Sequence, residues 1–176
     1  MRLIYLQKIS LYTKPNLFFS KEYTVSSDLF MEGEPVKYEY TTELEWTEEK
    51  KGILRCEGKP DIQVACPPEF GGHPHIWSAE DIFLASVEIC TMTTLLWFTK
   101  KENIALKSYR SVAHGIAKLV GAVFQFSSII VKIRICVSSE DDLNRVKILL
   151  KKVEKACLIT NSITADVSLE PEIVIE

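Results

Sequence analysis

The chain has 176 residues, 47% of them hydrophobic and 26% charged, which is typical of a single globular domain with a sizeable core. Its formal net charge of -3 offers no basic surface for nucleic acid, and the lysine-rich segments 100–107 and 147–155 are better explained as solvated helix faces. No apolar run approaches the about 18 residues that span a membrane, so no membrane contact is expected. The N-terminal stretch MRLIYLQKISLY is interrupted by polar residues, which argues against a secretory signal.

Residues 1–35 mix apolar and polar side chains without a clear period, and we expect an N-terminal extension of short strands packed on the core. Residues 36–176 are expected to form the domain proper. Residues 36–46 alternate strictly between apolar and polar, the pattern of a half-buried strand. The polar run TEEKKG leads into ILRCE, and GKP leads into DIQVAC. This order predicts an antiparallel meander of three strands.

A long apolar helix is predicted after the proline- and glycine-rich loop CPPEFGGHPHIW. Ser78 is a good N-cap residue, and Glu80 and Asp81 suit the first helical turn. Residues 77–101 are apolar on almost every face and carry Cys90 in the middle. A helix of this kind is expected to be buried nearly all round.

The remaining elements are two strands, a helix and a last strand. The strands cover about residues 108–119 and 122–137, with a turn near Gly121. The helix is capped at Ser139 and has a regular apolar stripe that ends at Cys157. The last strand covers about residues 167–175, and whether Pro171 interrupts it stays open. Strands, buried helix, strands, helix and strand together predict an α+β fold.

On the residues alone, four of the five cysteines are explained as buried apolar side chains, while Cys136 lies on the polar face of its strand with Lys132 and Arg134. The five cysteines occupy positions 56, 66, 90, 136 and 157. An odd number without a CxxC pair favours a reducing, cytoplasmic setting over a disulfide framework or structural zinc. His73 and His75 lack a further ligand at metal-binding spacing, and we expect neither a metal nor a cofactor. Spacing alone does not pair Cys90 with Cys157.

Three motifs occur in order: PPEFGG, WSAEDIFLASVEIC with Cys90, and EKACLITNSI with Cys157. In this order the chain resembles the OsmC/Ohr family of osmotically inducible and organic hydroperoxide resistance proteins, from about residue 36 to its end. The resemblance implies an OsmC-like α+β fold with an antiparallel meander, a long buried central helix, a second sheet and a second helix. It also implies an intertwined homodimer with active sites at the subunit interface.

The resemblance further implies a thiol-dependent peroxidase that acts in the oxidative stress response. Cys90 would attack an organic hydroperoxide and become a sulfenic acid. Cys157 would condense with that sulfenic acid to a disulfide, which an external dithiol of the lipoyl type would reduce. Glu80 would orient an arginine that stabilises the Cys90 thiolate.

The family's arginine has no direct counterpart in this chain. One branch of the family has it where this sequence has Lys50 and Lys51, and Arg55 is the nearest other candidate. Glu80 and Cys90 lie ten residues apart on one helix, about 15 Å at 1.5 Å per residue. Glu80 is therefore expected to serve a site completed by the partner subunit, or to act through the arginine at a distance.

Two functions remain open from the sequence. The first is a peroxidase that reduces organic hydroperoxides to alcohols through Cys90 and Cys157. The alternative is a non-enzymatic dimer of the same fold that binds an apolar ligand, its peroxidase activity weak or lost with the arginine.

Overall fold

The computed structural model describes residues 37–176, so the predicted extension 1–35 lies outside the described residues. From Thr41 onward the chain forms one compact unit. The elements, in chain order, are β1 (Glu43–Trp46), β2 (Lys51–Arg55), β3 (Ile62–Ala65), α1 (Ala79–Lys101), β4 (Ser108–Val120), β5 (Val123–Val137), α2 (Glu140–Ala156), α3 (Leu158–Asn161) and β6 (Asp166–Ile175). The α+β fold class is confirmed.

The first sheet is the predicted antiparallel meander in the order β1, β2, β3. Its first strand is shorter than predicted, because β1 begins at Glu43 and residues 37–42 form no strand. Leu44 and Trp46 were expected on a buried face, but they are 66% and 70% exposed. The alternation identified the strand correctly, yet the described residues supply no layer that covers these two side chains.

The second sheet has the order β4, β5, β6. The β4–β5 hairpin turns at Gly121, as predicted, with a positive φ of 64° that suits glycine. The strand β6 pairs with β5 in parallel and continues through Pro171, so the proline does not interrupt it. Because β6 is an edge strand, a proline without an N–H can be accommodated in it.

The main core combines β5 and α2 with the buried residues Val87 and Leu95 of α1. The buried face of β5 and the stripe of α2 have the predicted periods, and their fully or almost fully buried members are Ile129, Val131, Ile133, Ile135, Val137, Val146, Leu149, Leu150 and Val153. The α2 helix begins after Ser139, whose hydroxyl accepts from the Asp142 N–H over 3.1 Å, and this confirms the predicted cap. Cys157 ends the buried stripe, as the sequence predicted.

The helix α1 begins at the predicted N-cap. Ser78 and Asp81 form a reciprocal capping box, with the Asp81 N–H donating to Ser78 Oγ over 3.1 Å. The helix lies so close to β4 that a Cβ on Gly115 would be 2.7 Å from Leu84 Cδ2. Glycine therefore permits this packing distance.

The expectation that α1 is buried nearly all round is not met within one chain. Its buried residues form a single stripe with a spacing of four: Val87, Thr91, Leu95 and Thr99. Ile89, Leu96 and Trp97 on other faces are exposed. Helix α1 is also long and apolar enough to cross a membrane by those two criteria, contrary to the sequence-based expectation. A core helix of a soluble protein meets the same criteria, so this is weak evidence for a membrane span.

Candidate active site

Cys90 and Cys157 come together where α1 packs against α3. Cys90 is half-buried on α1, and Cys157 is only 1% exposed in the link between α2 and α3. The two side chains are within hydrogen-bonding contact, and both thiols are free. The Cys157 N–H donates to Val153 O over 3.0 Å, which fixes this cysteine to the end of α2. Packing of two distant segments therefore creates a pair that spacing alone could not identify.

The sulfur of Cys157 is surrounded by hydrogen-bond donors from the next turn of the chain. Thr160 Oγ1 donates to Cys157 Sγ over 3.2 Å. The backbone N–H groups of Ile159 and Thr160 lie near the same sulfur and favour its thiolate form. Cys157 is the N-cap residue of α3, but its side chain makes no capping hydrogen bond to the first turn of that helix. Donors of this kind stabilise a thiolate without a nearby cation.

The surroundings of Cys90 have the opposite effect on its charge. Burial raises the pKa of Cys90, and the hydrogen bond between its thiol and Cys157 raises it further. The N–H of Ile159 and the hydroxyl of Thr94 favour the thiolate, but the pKa of Cys90 still lies above its ordinary value.

For Cys157, burial also acts against the thiolate, but hydrogen bonds from Cys90, Thr160 and the Ile159 N–H outweigh it and lower the pKa of Cys157. The donors around Cys157 therefore favour its thiolate form, whereas the surroundings of Cys90 favour its thiol form.

The basic residues proposed as replacements for the arginine are bound elsewhere in this chain. Lys50 Nζ donates to Phe70 O over 2.5 Å, and Lys51 Nζ donates to Glu48 over 3.0 Å. Arg55 pairs with Glu45 at 2.5 Å and with Asp61 at 3.2 Å. Within the described part of the chain, the groups that shift the pKa of Cys90 include no basic side chain.

Glu80 lies in the first turn of α1, on the same uninterrupted helix as Cys90. The structure does not bring it to the thiols within one chain. Its Oε2 atom is buried and has no hydrogen-bond partner among the described residues. A buried carboxylate oxygen without a partner is costly, so this atom has the capacity to accept from a donor outside the single described unit.

Neither the histidines nor the two surface cavities extend the site. His73 Nε2 lies 3.0 Å from Glu49 Oε2 and connects the loop before α1 to the β1–β2 turn. Residues 37–176 contain no cluster of three or more histidine, cysteine or acidic side chains suited to a metal ion. One cavity of about 360 Å³ lies beside His75, and another of about 310 Å³ lies on the charged outer face of the second sheet. Neither is lined by Cys90 or Cys157.

Sequence reasoning did not identify Thr94 and Thr160 as neighbours of the thiols. Both have a local spacing signal, because Thr94 follows Cys90 by four residues on a helix and Thr160 follows Cys157 by three residues at an N-cap. The Ile159 N–H contacts both sulfurs and has no such signal, because a backbone donor is independent of the side-chain type.

Comparisons with known proteins agree with this architecture. The profile of the OsmC-like protein family matches residues 72–172, a segment that includes Glu80, Cys90 and Cys157. The uncharacterized protein YmaD of Bacillus subtilis is 23% identical over 112 residues, which are 62% of this chain and 75% of that protein.

Two solved structures share the fold at low identity. An OsmC-like protein of unknown function from Vibrio cholerae has a TM-score of 0.70 and 18% identity, covering 78% of this chain and 99% of its own. An organic hydroperoxide resistance protein from Elizabethkingia anophelis has a TM-score of 0.62 and 17% identity, covering 80% of this chain and 100% of its own.

Proposed function

Because the chain belongs to the OsmC-like protein family, we propose that it takes part in peroxide resistance as a thiol-dependent peroxidase that reduces organic hydroperoxides to alcohols. The observation that carries this proposal is the contact between Cys90 and Cys157. A half-buried thiol next to a second, buried thiol suits a two-cysteine redox cycle. Structural relatives that include organic hydroperoxide resistance proteins support the same role.

The reaction proceeds in three balanced steps. The sulfur of Cys90 attacks the terminal oxygen of the hydroperoxide, the O–O bond breaks, and the alkoxide leaves as an alcohol after it takes up a proton. The thiolate of Cys157 then attacks the sulfenic acid on Cys90 and displaces hydroxide, which is released as water. An external dithiol, of the lipoyl type in this family, reduces the resulting disulfide and becomes a disulfide itself.

Among the described neighbours of Cys90, which include no basic side chain, the Cys157 thiolate is the group that can accept its proton, although as the more acidic thiol it is the weaker base of the two. The Cys90 S–H donates to the Cys157 sulfur, which is the more acidic partner and carries the charge in the singly ionised pair. Transfer of this proton to Cys157 produces the Cys90 thiolate at the moment of attack. The same proton can pass on to the departing alkoxide, which returns Cys157 to the thiolate needed for the second step.

A homodimer is part of the proposal. Apolar side chains on α1, on the tip of the β4–β5 hairpin and on β1 are exposed in the single chain, among them Ile89, Trp97, Leu119, Phe124 and Trp46. Large apolar side chains exposed on several elements support a protein interface. A second copy of the chain would cover α1, close an apolar space over Cys90 and supply a donor for Glu80 Oε2.

The remaining parts of the proposal concern the chain as a whole. We assign residues 36–176 to the OsmC-like domain and residues 1–35 to an appended segment. Family members are soluble proteins, and we place this one in the cytoplasm, where its thiols would remain reduced between catalytic cycles.

The second candidate is a non-enzymatic dimer that binds an apolar ligand. The raised pKa of Cys90 and the engagement of Lys50, Lys51 and Arg55 elsewhere favour it, because a protonated thiol is a poor nucleophile. The two candidates differ in whether peroxide changes the cysteines.

The deciding experiment adds one equivalent of cumene hydroperoxide to the reduced protein and follows peroxide loss and peptide masses. The peroxidase predicts rapid consumption and a disulfide between the Cys90 and Cys157 peptides. Cys90→Ser should lose consumption while it keeps the melting temperature, because serine is nearly isosteric. Cys157→Ser should stop at oxidised Cys90 without the disulfide.

Cys66→Ser is the matched control, since Cys66 is also half-buried but its thiol donates to Phe70 O over 3.7 Å. It should behave as the wild type does. Surviving peroxide and unchanged thiols in the wild-type protein would reject the peroxidase in favour of the ligand-binding dimer.

A further inference from the structure

We infer that Thr160, whose hydroxyl donates to Cys157 Sγ over 3.2 Å, is a positioning residue that keeps the negative charge of the reduced cysteine pair on Cys157. The inference rests on the proposed use of Cys90 and Cys157 as a redox couple. In this inference one side chain determines which of two adjacent thiols is ionised. The described neighbours of Cys90 include no basic residue that could do so.

The contacts of the two sulfurs are unequal. Cys157 Sγ is within reach of the Thr160 hydroxyl and two backbone N–H groups, all from the turn that follows it. Cys90 Sγ is within reach of one of these N–H groups, that of Ile159, and of the Thr94 hydroxyl. The backbone donors belong to the α3 turn and cannot be removed by a side-chain substitution. The Thr160 hydroxyl is the donor to Cys157 that a substitution can remove.

The groups that contact Cys157 influence its ionisation through hydrogen bonds. Cys90 faces it from α1, and Thr160 and Ile159 face it from α3. On α2, the charged side chains nearest in sequence, Glu154 and Lys155, are exposed, so solvent screens them. Burial opposes the Cys157 thiolate, and a hydrogen bond to a buried charged group is stronger than one between neutral groups.

The charge on Cys157 has two consequences for the redox cycle. The thiolate that must attack oxidised Cys90 is already formed, which favours closure of the disulfide. Stabilising this thiolate also stabilises the reduced form of the pair, and it therefore makes the disulfide more oxidising. In the oxidised form neither sulfur carries a charge, so the Thr160 hydroxyl loses most of its effect there.

The test is the redox equilibrium of the pair with glutathione, in which Cys90 and Cys157 form a disulfide as glutathione disulfide is reduced to two glutathione thiols. Peptide masses give the oxidised fraction across a range of glutathione ratios and pH values. Thr160→Val keeps the side-chain shape but removes the hydroxyl. We expect its equilibrium constant for disulfide formation to rise about tenfold, a potential about 30 mV more negative.

The dependence of the potential on pH provides the second readout. Its slope changes at the pH where Cys157 ionises, and this break should move to higher pH in Thr160→Val. Thr160→Ser retains a hydroxyl and should stay close to the wild type. Ser162→Ala removes a hydroxyl of the same segment that donates to Leu158 O over 2.8 Å instead of to sulfur, and it should change neither readout.

The outcomes separate this inference from the proposed function. A Thr160→Val protein that folds normally and keeps the wild-type potential and break would overturn the inference, as would equal shifts in Thr160→Val and Ser162→Ala. Should the valine variant not fold, Thr160→Ala takes its place in the same titration. A wild-type protein that ignores peroxide while its potential shifts in Thr160→Val would reject the peroxidase and leave the role of Thr160 standing.

Discussion

Helices α1 and α2 bury apolar side chains on one side, but their other sides differ. On α2 the exposed side is mainly lysine, glutamate and asparagine, with Ile148, at 60% exposure, as its large apolar exception. On α1 the exposed side is itself apolar, and Ile89 there is 59% exposed. Ile148 and Ile89 are therefore almost equally exposed, but Ile148 lies on a mainly polar side and Ile89 on an apolar one.

This difference indicates that the two helices have different roles in stability and assembly. The helix α2 has an amphipathic pattern that one chain satisfies apart from Ile148, because its stripe is buried in the core and its opposite side faces water. The helix α1 has no polar side along most of its length, and one chain covers only the stripe from Val87 to Thr99. Stability of the single chain should therefore depend on α2, and assembly should depend on α1.

The largest expected effect concerns the buried side of α2. Leu149 is fully buried in the core, and Leu149→Ala should lower the free energy of unfolding by about 3 kcal/mol because it leaves a cavity. The neighbouring Ile148→Ala should change it by less than about 0.5 kcal/mol. Urea unfolding at one fixed protein concentration measures both. Equal losses would show that the exposed side of α2 is also covered in the assembled protein.

A second substitution pair tests the proposed role of α1 in assembly. Ile89→Asp places a charge in the apolar surface of α1, and the dimer should dissociate at about tenfold higher concentration or more, since a buried unpaired charge is costly. Ile148→Asp puts the same charge on α2, where water remains available, and should leave the dimer intact. Light scattering across a dilution series reads out the mass. Dissociation of both variants alike, or a monomeric wild type, would contradict this division between the helices.

The sequence predicted those parts of the fold that have local causes. Ser78 and Ser139 mark helix starts, Gly121 marks a turn, and the stripe of α2 has the period of one packed face. Two predictions of burial were wrong for the same reason. Apolar periodicity shows that a side chain is suited to burial, but it does not show which chain buries it, so α1 and the residues Leu44 and Trp46 were expected to be covered. The parallel pairing of β6 with β5 is a long-range contact without a local signal.

The candidate site shows the same limit at the level of single residues. The residues alone gave no reason to bring Cys90 and Cys157 together, because their contact depends on the packing of α1 against α3. Their pairing came from the resemblance to a family. The resemblance implies a role for an arginine and none for Thr160. The spacing of Thr160 from Cys157 nevertheless predicts a hydrogen bond between them.

The smallest expected effect is a change in the titration of Cys90. In the pair, the hydrogen bond to Cys157 is the second cause, after burial, of the raised pKa of Cys90. Cys157→Ala removes this acceptor, so the pKa of Cys90 should fall toward its ordinary value, while burial still keeps it raised. Because the thiolate is the form that reacts, alkylation of Cys90 by iodoacetamide should become faster at a fixed pH below that pKa, and its pH profile should move to lower pH. Cys136→Ala, which removes a buried thiol outside the pair, should leave the profile in place. A profile that moves to higher pH in Cys157→Ala would mean that Cys157 stabilises the Cys90 thiolate, and the charge in the reduced pair would then belong on Cys90.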